Sequence, residues 1–343
     1  MTDVNLLWYV TRRVVFAALV LLSVVTITFV LAHNLGGNPI IAWLGKAAAL
    51  NPSLARIYAA KYHLTDPIWV QYYYYLTGII QGDFGISPSR ASTPVLTVIG
   101  ETLPLTLQIV ILAFVISLAL GVLLGALSAR HHHGPVDEGI RAFYLAGYSS
   151  PPFFAALLLL IIFAVFFKAL PSGGAADASL PRPFWITGLP MVDSLLEGNW
   201  AYFASAVEHA ILPAMALALV TFGVITRILR SSLLNVLNMN YIRTARAKGL
   251  DENTVFFKHA LRNGFIPVIS LSSVILTWLI TSTIFVENVF AYPGLGQYVV
   301  TALLSQDYPG ILAATIIFAL TIIIGNLIVD MLYVVVDPQI RLR

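Results

Sequence analysis

Six long apolar segments without a charged residue constrain this chain more than any other feature. Crossing the hydrocarbon core of a bilayer takes about 20 apolar residues in a helix. Continuous apolar runs of this kind favour helices over barrel strands, which alternate over about 10 residues. The sequence therefore predicts an all-α polytopic membrane protein with six transmembrane helices. The segments are Val14–Ala32, Leu103–Ala129, Ala142–Phe167, His209–Thr226, Phe265–Val286 and Ile311–Val329.

The composition agrees with a lipid-embedded protein. Only 10% of the residues are charged and 59% are hydrophobic, whereas soluble domains carry roughly 25% charged residues. The chain has no cysteine, which excludes disulfides and thiolate chemistry. Arg12 and Arg13 precede the first segment as in a signal peptide, but its end at Leu31-Ala32-His33 lacks a small-x-small cleavage site. An uncleaved anchor is the better interpretation.

The basic residues predict the orientation. With both termini on the cytoplasmic side of the plasma membrane, the inner segments hold thirteen Lys and Arg residues and the outer segments hold six. The reverse orientation would violate the positive-inside bias. Cations near span ends indicate topology rather than nucleic-acid binding, so we expect lipid and no nucleic acid as partner. The outer six are Lys46, Arg56, Lys61, Arg90, Lys168 and Arg182.

The spans divide the chain into three regions. Residues 1–32 form the N-terminal segment with the first helix, 33–102 a small external subdomain, and 103–343 a five-helix core. A cytoplasmic loop at 230–264 lies within that core. In the external subdomain we expect a helix from Asn51 to Tyr75, with Pro52 in its first turn.

Two local patterns concern the packing of the spans. Small residues recur every fourth position on the second span and allow another helix, of this or another subunit, to approach closely. Pro151-Pro152 predicts a kink or a helix start in the third span. The small residues are Ser117, Gly121, Gly125 and Ala129.

No site for covalent chemistry is visible. The chain has no G-x-x-x-x-G-K-[ST], H-E-x-x-H or G-x-S-x-G motif. We therefore expect a non-enzyme without a cofactor or metal of its own. His131-His132-His133 could bind a metal, but three adjacent histidines in a short loop are more typical of a solvated turn.

Charged residues within the spans would indicate a transport pathway, and here they occur only near the span ends. Glu287 and Asp330 could line a cavity, pair across helices or lie among lipid headgroups. We take Thr277, Thr281, Thr283 and Glu287 as candidate pathway residues; for the threonines the alternative is packing or a hydrogen bond to the preceding turn. A proton- or ion-driven carrier would need acidic residues near the bilayer middle.

A basic loop carries the strongest functional signal. Seven of the nineteen Lys and Arg residues lie between Arg227 and Arg262. Asn240–Lys248 predicts a short helix that Gly249 terminates, and Asp251 can cap a second helix to about Arg262. Small residues would let a partner backbone come close and cations would fix its register; the alternative is a solvated loop that only satisfies the positive-inside rule. The candidate docking residues are Tyr241, Ile242, Arg243, Thr244, Ala245, Arg246, Ala247, Lys248, Gly249 and Leu250.

This loop resembles the "EAA" coupling loop of ABC importer permeases. It is closer to the peptide/nickel branch, the oligopeptide and dipeptide permease B-type subunits. Arg243-Thr244 replaces Glu-Ala of the general motif, as is typical of that branch. Other stretches resemble the branch in the same order along nearly the whole chain: Trp8-Tyr9-Val10 with Arg12-Arg13, His63-Leu64-Thr65-Asp66-Pro67, Gly82-Asp83-Phe84-Gly85 with Ser87, Leu103-Pro104-Leu105-Thr106-Leu107, Ser149-Ser150-Pro151, Tyr292-Pro293-Gly294-Leu295-Gly296 and Asp337-Pro338-Gln339-Ile340-Arg341.

The resemblance implies a type I ABC importer permease fold and a role in ATP-driven import. The implied partners are a related C-type permease subunit in a heterodimer, two cytoplasmic ATPase subunits that bind ATP and Mg, and an external substrate-binding protein. Peptides are the first expectation for the substrate, with oligosaccharides and nickel as alternatives. An ATP-independent secondary carrier is the competing class.

Overall fold

The computed structural model describes residues 6–34, 43–44 and 51–336, and this part of the chain is predominantly helical. Membrane helices alternate with short helices in the connections. The longer helices are α1 Leu6–Asn34, α2 Pro52–Lys61, α3 Ile68–Gln81, α4 Val95–Arg130, α5 Pro135–Tyr148, α6 Pro152–Leu159, α7 Pro190–Glu197, α8 Trp200–Leu237, α9 Asn240–Ala247, α10 Leu261–Gly264, α11 Ile266–Val289, α12 Leu295–Leu304 and α13 Tyr308–Val336. Two π-helical segments, Leu160–Phe166 and Thr254–Ala260, a 3-10 turn, Pro88–Arg90, and a two-strand hairpin, β1 Ile86–Ser87 and β2 Thr93–Pro94, complete the described elements.

The expectation of an all-α polytopic membrane protein is confirmed. In the described part of the chain, five helical stretches are long and apolar enough to cross a membrane. A sixth span is reached only if α5 and the helix Pro152–Phe166 are counted as one bent pair. The five stretches are Thr11–Leu31, Val95–Arg130, Trp200–Leu237, Ile266–Val289 and Tyr308–Val329.

The third predicted span, Ala142–Phe167, is wrong as a single helix. The chain bends by 107° between Tyr148 and Pro152. Pro152 disfavours the helical conformation at the residue before it, and Pro151 is extended, with φ −61° and ψ 144°. Of the two outcomes predicted for Pro151-Pro152, a kink or a helix start, the second is confirmed, because Pro152 begins α6.

The fourth helix is longer than its apolar core, His209–Thr226. Asn199 caps it by accepting a hydrogen bond at Oδ1 from the Tyr202 main-chain N–H, at 3.1 Å. It then continues through Arg227 and Arg230 to Leu237. The first residues of the predicted loop 230–264 are therefore helical, and the chain leaves α8 only after Leu237.

The small-residue stripe of the second span packs against α8 of the same chain. A Cβ built on Gly121 would lie 2.5 Å from the Ile225 Cβ, and one on Gly125 would lie 3.0 Å from the Thr226 carbonyl oxygen. Ser117 and Thr221 exchange a hydrogen bond of 2.7 Å between their hydroxyls. The partner that the sequence left open is therefore an intramolecular helix.

The region after α1 folds as two helices and a hairpin. The single helix predicted for Asn51–Tyr75 is wrong, because the chain leaves the helical conformation between Lys61 and Ile68. Pro52 does begin α2, as predicted. Asp307, at the start of α13, is fully buried and accepts hydrogen bonds from the Ser87 and Ser89 hydroxyls. These bonds fasten the hairpin to the core.

Candidate functional site

The first helix of the basic loop forms where the sequence predicts it. Asn240–Ala247 is helical, and Gly249 follows with a φ of +81°. The Gly249 N–H bonds to the Arg246 carbonyl at 2.9 Å and the Leu250 N–H to the Ala245 carbonyl at 3.4 Å. These bonds satisfy carbonyls at the helix end, so the predicted glycine termination is confirmed.

The second helix begins at the predicted cap. Asp251 accepts a hydrogen bond at Oδ2 from the Thr254 main-chain N–H, at 3.0 Å. Hydrogen bonds from the Thr254 hydroxyl and N–H hold the pKa of Asp251 below its ordinary value. The charged cap is therefore stable near neutral pH. From there the chain is largely π-helical over Thr254–Ala260 and continues through α10.

Side-chain contacts fix the two loop helices to each other. Arg246 forms an ion pair with Glu252, Nε to Oε1 at 2.7 Å and Nη2 to Oε2 at 3.2 Å. The Asn263 amide donates to the Tyr241 hydroxyl at 2.8 Å. The loop is thus a helical hairpin of defined geometry, as a docking element requires.

The first loop helix has an inner and an outer face. Ile242 is fully buried and Ala245 is 8% exposed, in one cluster with Val255 and Ala260 of the second helix. The expectation that Ala245 gives a partner close access is therefore wrong, because its methyl group packs inside this chain. The other candidate docking residues are exposed: Tyr241, Arg243, Thr244, Arg246, Ala247, Lys248, Gly249 and Leu250.

The base of the loop contains an ion pair that the sequence did not reveal. Asp137, 1% exposed on α5, accepts hydrogen bonds from Arg230 of α8, at 2.7 Å from Nε and 2.6 Å from Nη2. The Ser128 hydroxyl at the end of α4 donates to the same carboxylate. The pair therefore joins three helices where the inner connections meet. An acidic residue shortly after a chain reversal is too common a pattern to have indicated it.

The three histidines lie beside this ion pair, and the rings of His132 and His133 stack with centroids 3.7 Å apart. His131 bonds through Nδ1 to the Leu127 carbonyl at 3.0 Å, whereas His132 lies with Nδ1 3.7 Å from Asp137 Oδ2. Among the described residues, no group of three His, Cys, Asp or Glu side chains could hold a metal ion. His132 and His133 thus contact the Asp137–Arg230 ion pair, the latter through its main-chain N–H.

Glu287 pairs across helices. It is fully buried and accepts hydrogen bonds from the Thr106 hydroxyl of α4 at 2.6 Å and from the Gln297 N–H of α12 at 3.0 Å. A Cβ on Gly294 would overlap its carboxylate, and one on Gly296 would lie 2.7 Å from the Ile284 Cα. Only residues without a side chain fit at Gly294 and Gly296, where the chain folds over this carboxylate. A headgroup position for Glu287 is wrong.

The threonines of α11 point in different directions. Thr277 is half-buried and contacts Asn326 of α13 at 3.1 Å, and Thr283 is fully buried. Thr281 is exposed on the same stripe as Val274 and Trp278. All three hydroxyls also bond to main-chain carbonyls in the preceding turn. Only Thr281 is placed to meet a solute at the surface of this subunit; the lining assignment itself stays a prediction.

Comparison with known proteins gives matches along the chain. Residues 121–342 match the family model described as binding-protein-dependent transport system inner membrane component. Residues 6–120 match the model described as its N-terminal membrane component.

Relatives match over nearly their whole length. The oligopeptide transport system permease protein AppB of Bacillus subtilis is 35% identical over 97% of this chain and 99% of its own length. The probable D,D-dipeptide transport system permease protein DdpB of Escherichia coli is 34% identical, over 97% of each chain. The dipeptide transport system permease protein DppB of Haemophilus influenzae is 36% identical over 97% of this chain and 99% of its own.

Proposed function

The chain belongs to the binding-protein-dependent transport system inner membrane component family, and from this we propose that it is the permease subunit of an ATP-driven peptide importer. It is a multi-pass membrane protein and a transport subunit rather than an enzyme. The single observation that carries the mechanism is the helical hairpin of residues 240–264. Side-chain contacts link its two helices, and the outer face of its first helix is exposed. That hairpin is where we place the contact with an ATPase.

Peptide is the substrate class that the relatives support. The three relatives named above are described as permeases for oligopeptides, D,D-dipeptides and dipeptides, at 34–36% identity over nearly the whole chain. Oligosaccharides and nickel have no comparable support. The length of the peptide and its side-chain preference follow from the external binding protein as well as from the permease pair.

The hairpin has the properties needed to transmit motion. Its helices are linked by the Arg246–Glu252 ion pair and the Tyr241–Asn263 hydrogen bond, and Arg130 at the end of α4 donates to Asn253 at 2.9 Å. A push on its outer face therefore reaches the membrane helices α4 and α11 as a rigid-body displacement. Arg243 and Lys248, exposed on that face, supply charge to fix the register of an acidic ATPase surface.

The assembly follows from the same reasoning. We place both termini and the hairpin in the cytoplasm, since the positive-inside bias puts thirteen cations there. The chain pairs with a related C-type permease subunit. Two ATPase subunits, which bind ATP and Mg, dock at the hairpins of the permease pair. An external binding protein delivers the peptide. The cofactors belong to the ATPases, because this sequence has no P-loop.

The test is reconstitution of the chain with its permease, ATPase and binding-protein partners in proteoliposomes. Uptake of a labelled dipeptide and a labelled pentapeptide is compared with uptake of a trisaccharide and of Ni²⁺. We expect peptide uptake that requires ATP and both ATPase subunits. Transport of the sugar or the metal with no peptide uptake would reject the substrate class, and peptide uptake without the ATPases would indicate a secondary carrier.

A further inference from the structure

A cleft of about 440 Å³ lies beside the break between α5 and α6. Ligand sites in proteins run from about 300 to 1,000 Å³, so this volume suits a small ligand or one end of a longer one. Its walls are the non-helical turn Ser149–Pro151, the α8 residues Val220 and Val224, and Trp278 of α11. Neither the Asp137–Arg230 ion pair nor the helical hairpin of residues 240–264 contributes to it.

The break beside the cleft lies against the middle of α8. A Cβ on Gly147, just before the break, would lie 2.6 Å from the Leu219 carbonyl oxygen, and Leu219 is half-way along α8. Backbone outside a helix is tolerated at this depth only if it is buried in protein or borders a water-filled cavity. Since Ser149 and Pro151 are exposed on this subunit, that face must meet the pathway or the sister subunit rather than lipid.

Arg227 is the one charged side chain among the residues that line the cleft. It lies two helical turns from Leu219 and is exposed. Within the described part of the chain no ion pair or hydrogen bond engages its guanidinium. Arg230, one turn further along α8, is held by Asp137 at 2.6 Å. Just after the predicted span His209–Thr226, the exposed guanidinium of Arg227 borders the cleft and is available to an anion that enters it.

We propose that this cleft is a subsite of the translocation pathway in which Arg227 binds the α-carboxylate of the transported peptide. The inference rests on the proposed function, because a free α-carboxylate is the anion that linear peptides share. A guanidinium pairs with a carboxylate through two parallel hydrogen bonds. The apolar walls and the exposed indole of Trp278 then accommodate C-terminal side chains of different size, without selecting one.

The probe is a single cysteine at Val274, a small exposed residue of the cleft. The native chain has no cysteine, so Val274→Cys reports on this position alone. In the reconstituted complex, the rate at which a membrane-permeant maleimide labels this cysteine is measured with and without a transported peptide. We expect the peptide with a free carboxylate to slow labelling, and the same peptide with an amidated C-terminus to protect at least about tenfold less well.

Substitutions of Arg227 complete the test. Arg227→Gln should raise the peptide concentration for half-maximal protection by about tenfold or more, the effect of a lost charged hydrogen bond. Arg227→Lys should be intermediate, because an ammonium attracts the carboxylate without the two-bond geometry. Arg141→Gln, which removes another exposed cation outside the cleft, is the matched control and should change neither protection nor uptake. Membrane levels and subunit assembly are measured for each variant.

Three results would overturn the subsite. They are equal protection by the amidated peptide, unchanged protection and uptake in Arg227→Gln, and a Val274→Cys that is unlabelled in every nucleotide state because the sister subunit covers it. In each case peptide uptake by the complex with Arg227 intact still supports the proposed function. Absence of peptide uptake by that complex rejects the proposed function instead, so the two failures are distinct.

Discussion

At the scale of single residues, Gly249 illustrates a constraint of the backbone alone. Its φ is +81°, and a Cβ built there would meet no atom within 4 Å. A side chain would therefore not collide with anything, and its whole cost is the left-handed conformation, about 1–2 kcal/mol. A β-branched side chain is worst, whereas asparagine tolerates this conformation.

We expect Gly249→Val to reach the membrane at near-normal levels but to abolish the stimulation of ATP hydrolysis by loaded binding protein. The strain tilts the two loop helices, while the spans lie elsewhere. Gly249→Asn should keep most of the stimulation. Asn253→Ala should be mild, because it loses one exposed hydrogen bond to Arg130 while the Arg246–Glu252 and Tyr241–Asn263 contacts and the covalent connection to α11 remain. The measurement is hydrolysis by the assembled complex with and without loaded binding protein. Full stimulation in Gly249→Val would mean that the turn is not part of the coupling path.

Ala245 and Ala247 form a matched pair on opposite faces of the same helix. Ala245 is buried against the second loop helix and Ala247 is exposed. Ala245→Arg should make the hairpin sensitive to protease in the isolated subunit, because the buried face cannot hold a guanidinium. Ala247→Arg should leave protease resistance unchanged and reduce ATPase co-purification. Equal behaviour of the two variants in both assays would contradict this division into faces.

At the scale of elements, the contact between α4 and α8 depends on residues without side-chain volume. Transmembrane helices gain no hydrophobic drive from association in lipid, so close backbone packing carries the stability. Gly121 and Gly125 provide that approach, and the Ser117–Thr221 hydrogen bond adds to it. The broken pair of α5 and α6 also packs on α8 and brings Asp137 to Arg230.

Two glycines of α4 give a direct test of this packing. Gly121→Ala should lower the thermal stability of the detergent-solubilised protein by about 1–3 kcal/mol, because its Cβ would lie 2.5 Å from the Ile225 Cβ. Gly100→Ala, on the same helix with nothing within 4 Å, should be neutral or stabilising by up to about 1 kcal/mol. Thermal unfolding of both variants checks the difference. Equal unfolding midpoints of the two variants would show that the close approach of α4 and α8 at Gly121 does not contribute to stability.

At the scale of the whole molecule, alternating access should change the solvent accessibility of residues on α11. Thr281 lies on its exposed stripe, whereas Thr283 is fully buried against the rest of this chain. In the assembled complex, Thr281→Cys should react with a thiol reagent at a rate that changes with the nucleotide bound to the ATPases. Thr283→Cys should stay unreactive in the folded protein. If Thr281→Cys reacts equally in all nucleotide states, the stripe does not line the pathway.

The sequence by itself determined the features that local chemistry governs. Long uncharged apolar runs predict membrane helices because a single continuous segment in lipid satisfies its backbone hydrogen bonds within itself only as a helix. Gly249 and Asp251 predicted the ends of the loop helices, since a left-handed glycine and an N-terminal carboxylate act within one turn. The order of the short motifs predicted the family to which the chain belongs.

Tertiary structure decided what depends on contacts between distant residues. Periodicity within one helix does not say what packs on each face, so Ala245 was assigned to a partner although it is buried inside the chain. The size of the turn at Pro151, 107°, and the continuation of α8 past its apolar core to Leu237 are visible only in the folded chain. Asp137 and Arg230 are 93 residues apart, and only the folded helices bring them together. Burial makes that pairing necessary, because an unpaired charge inside protein costs several kcal/mol.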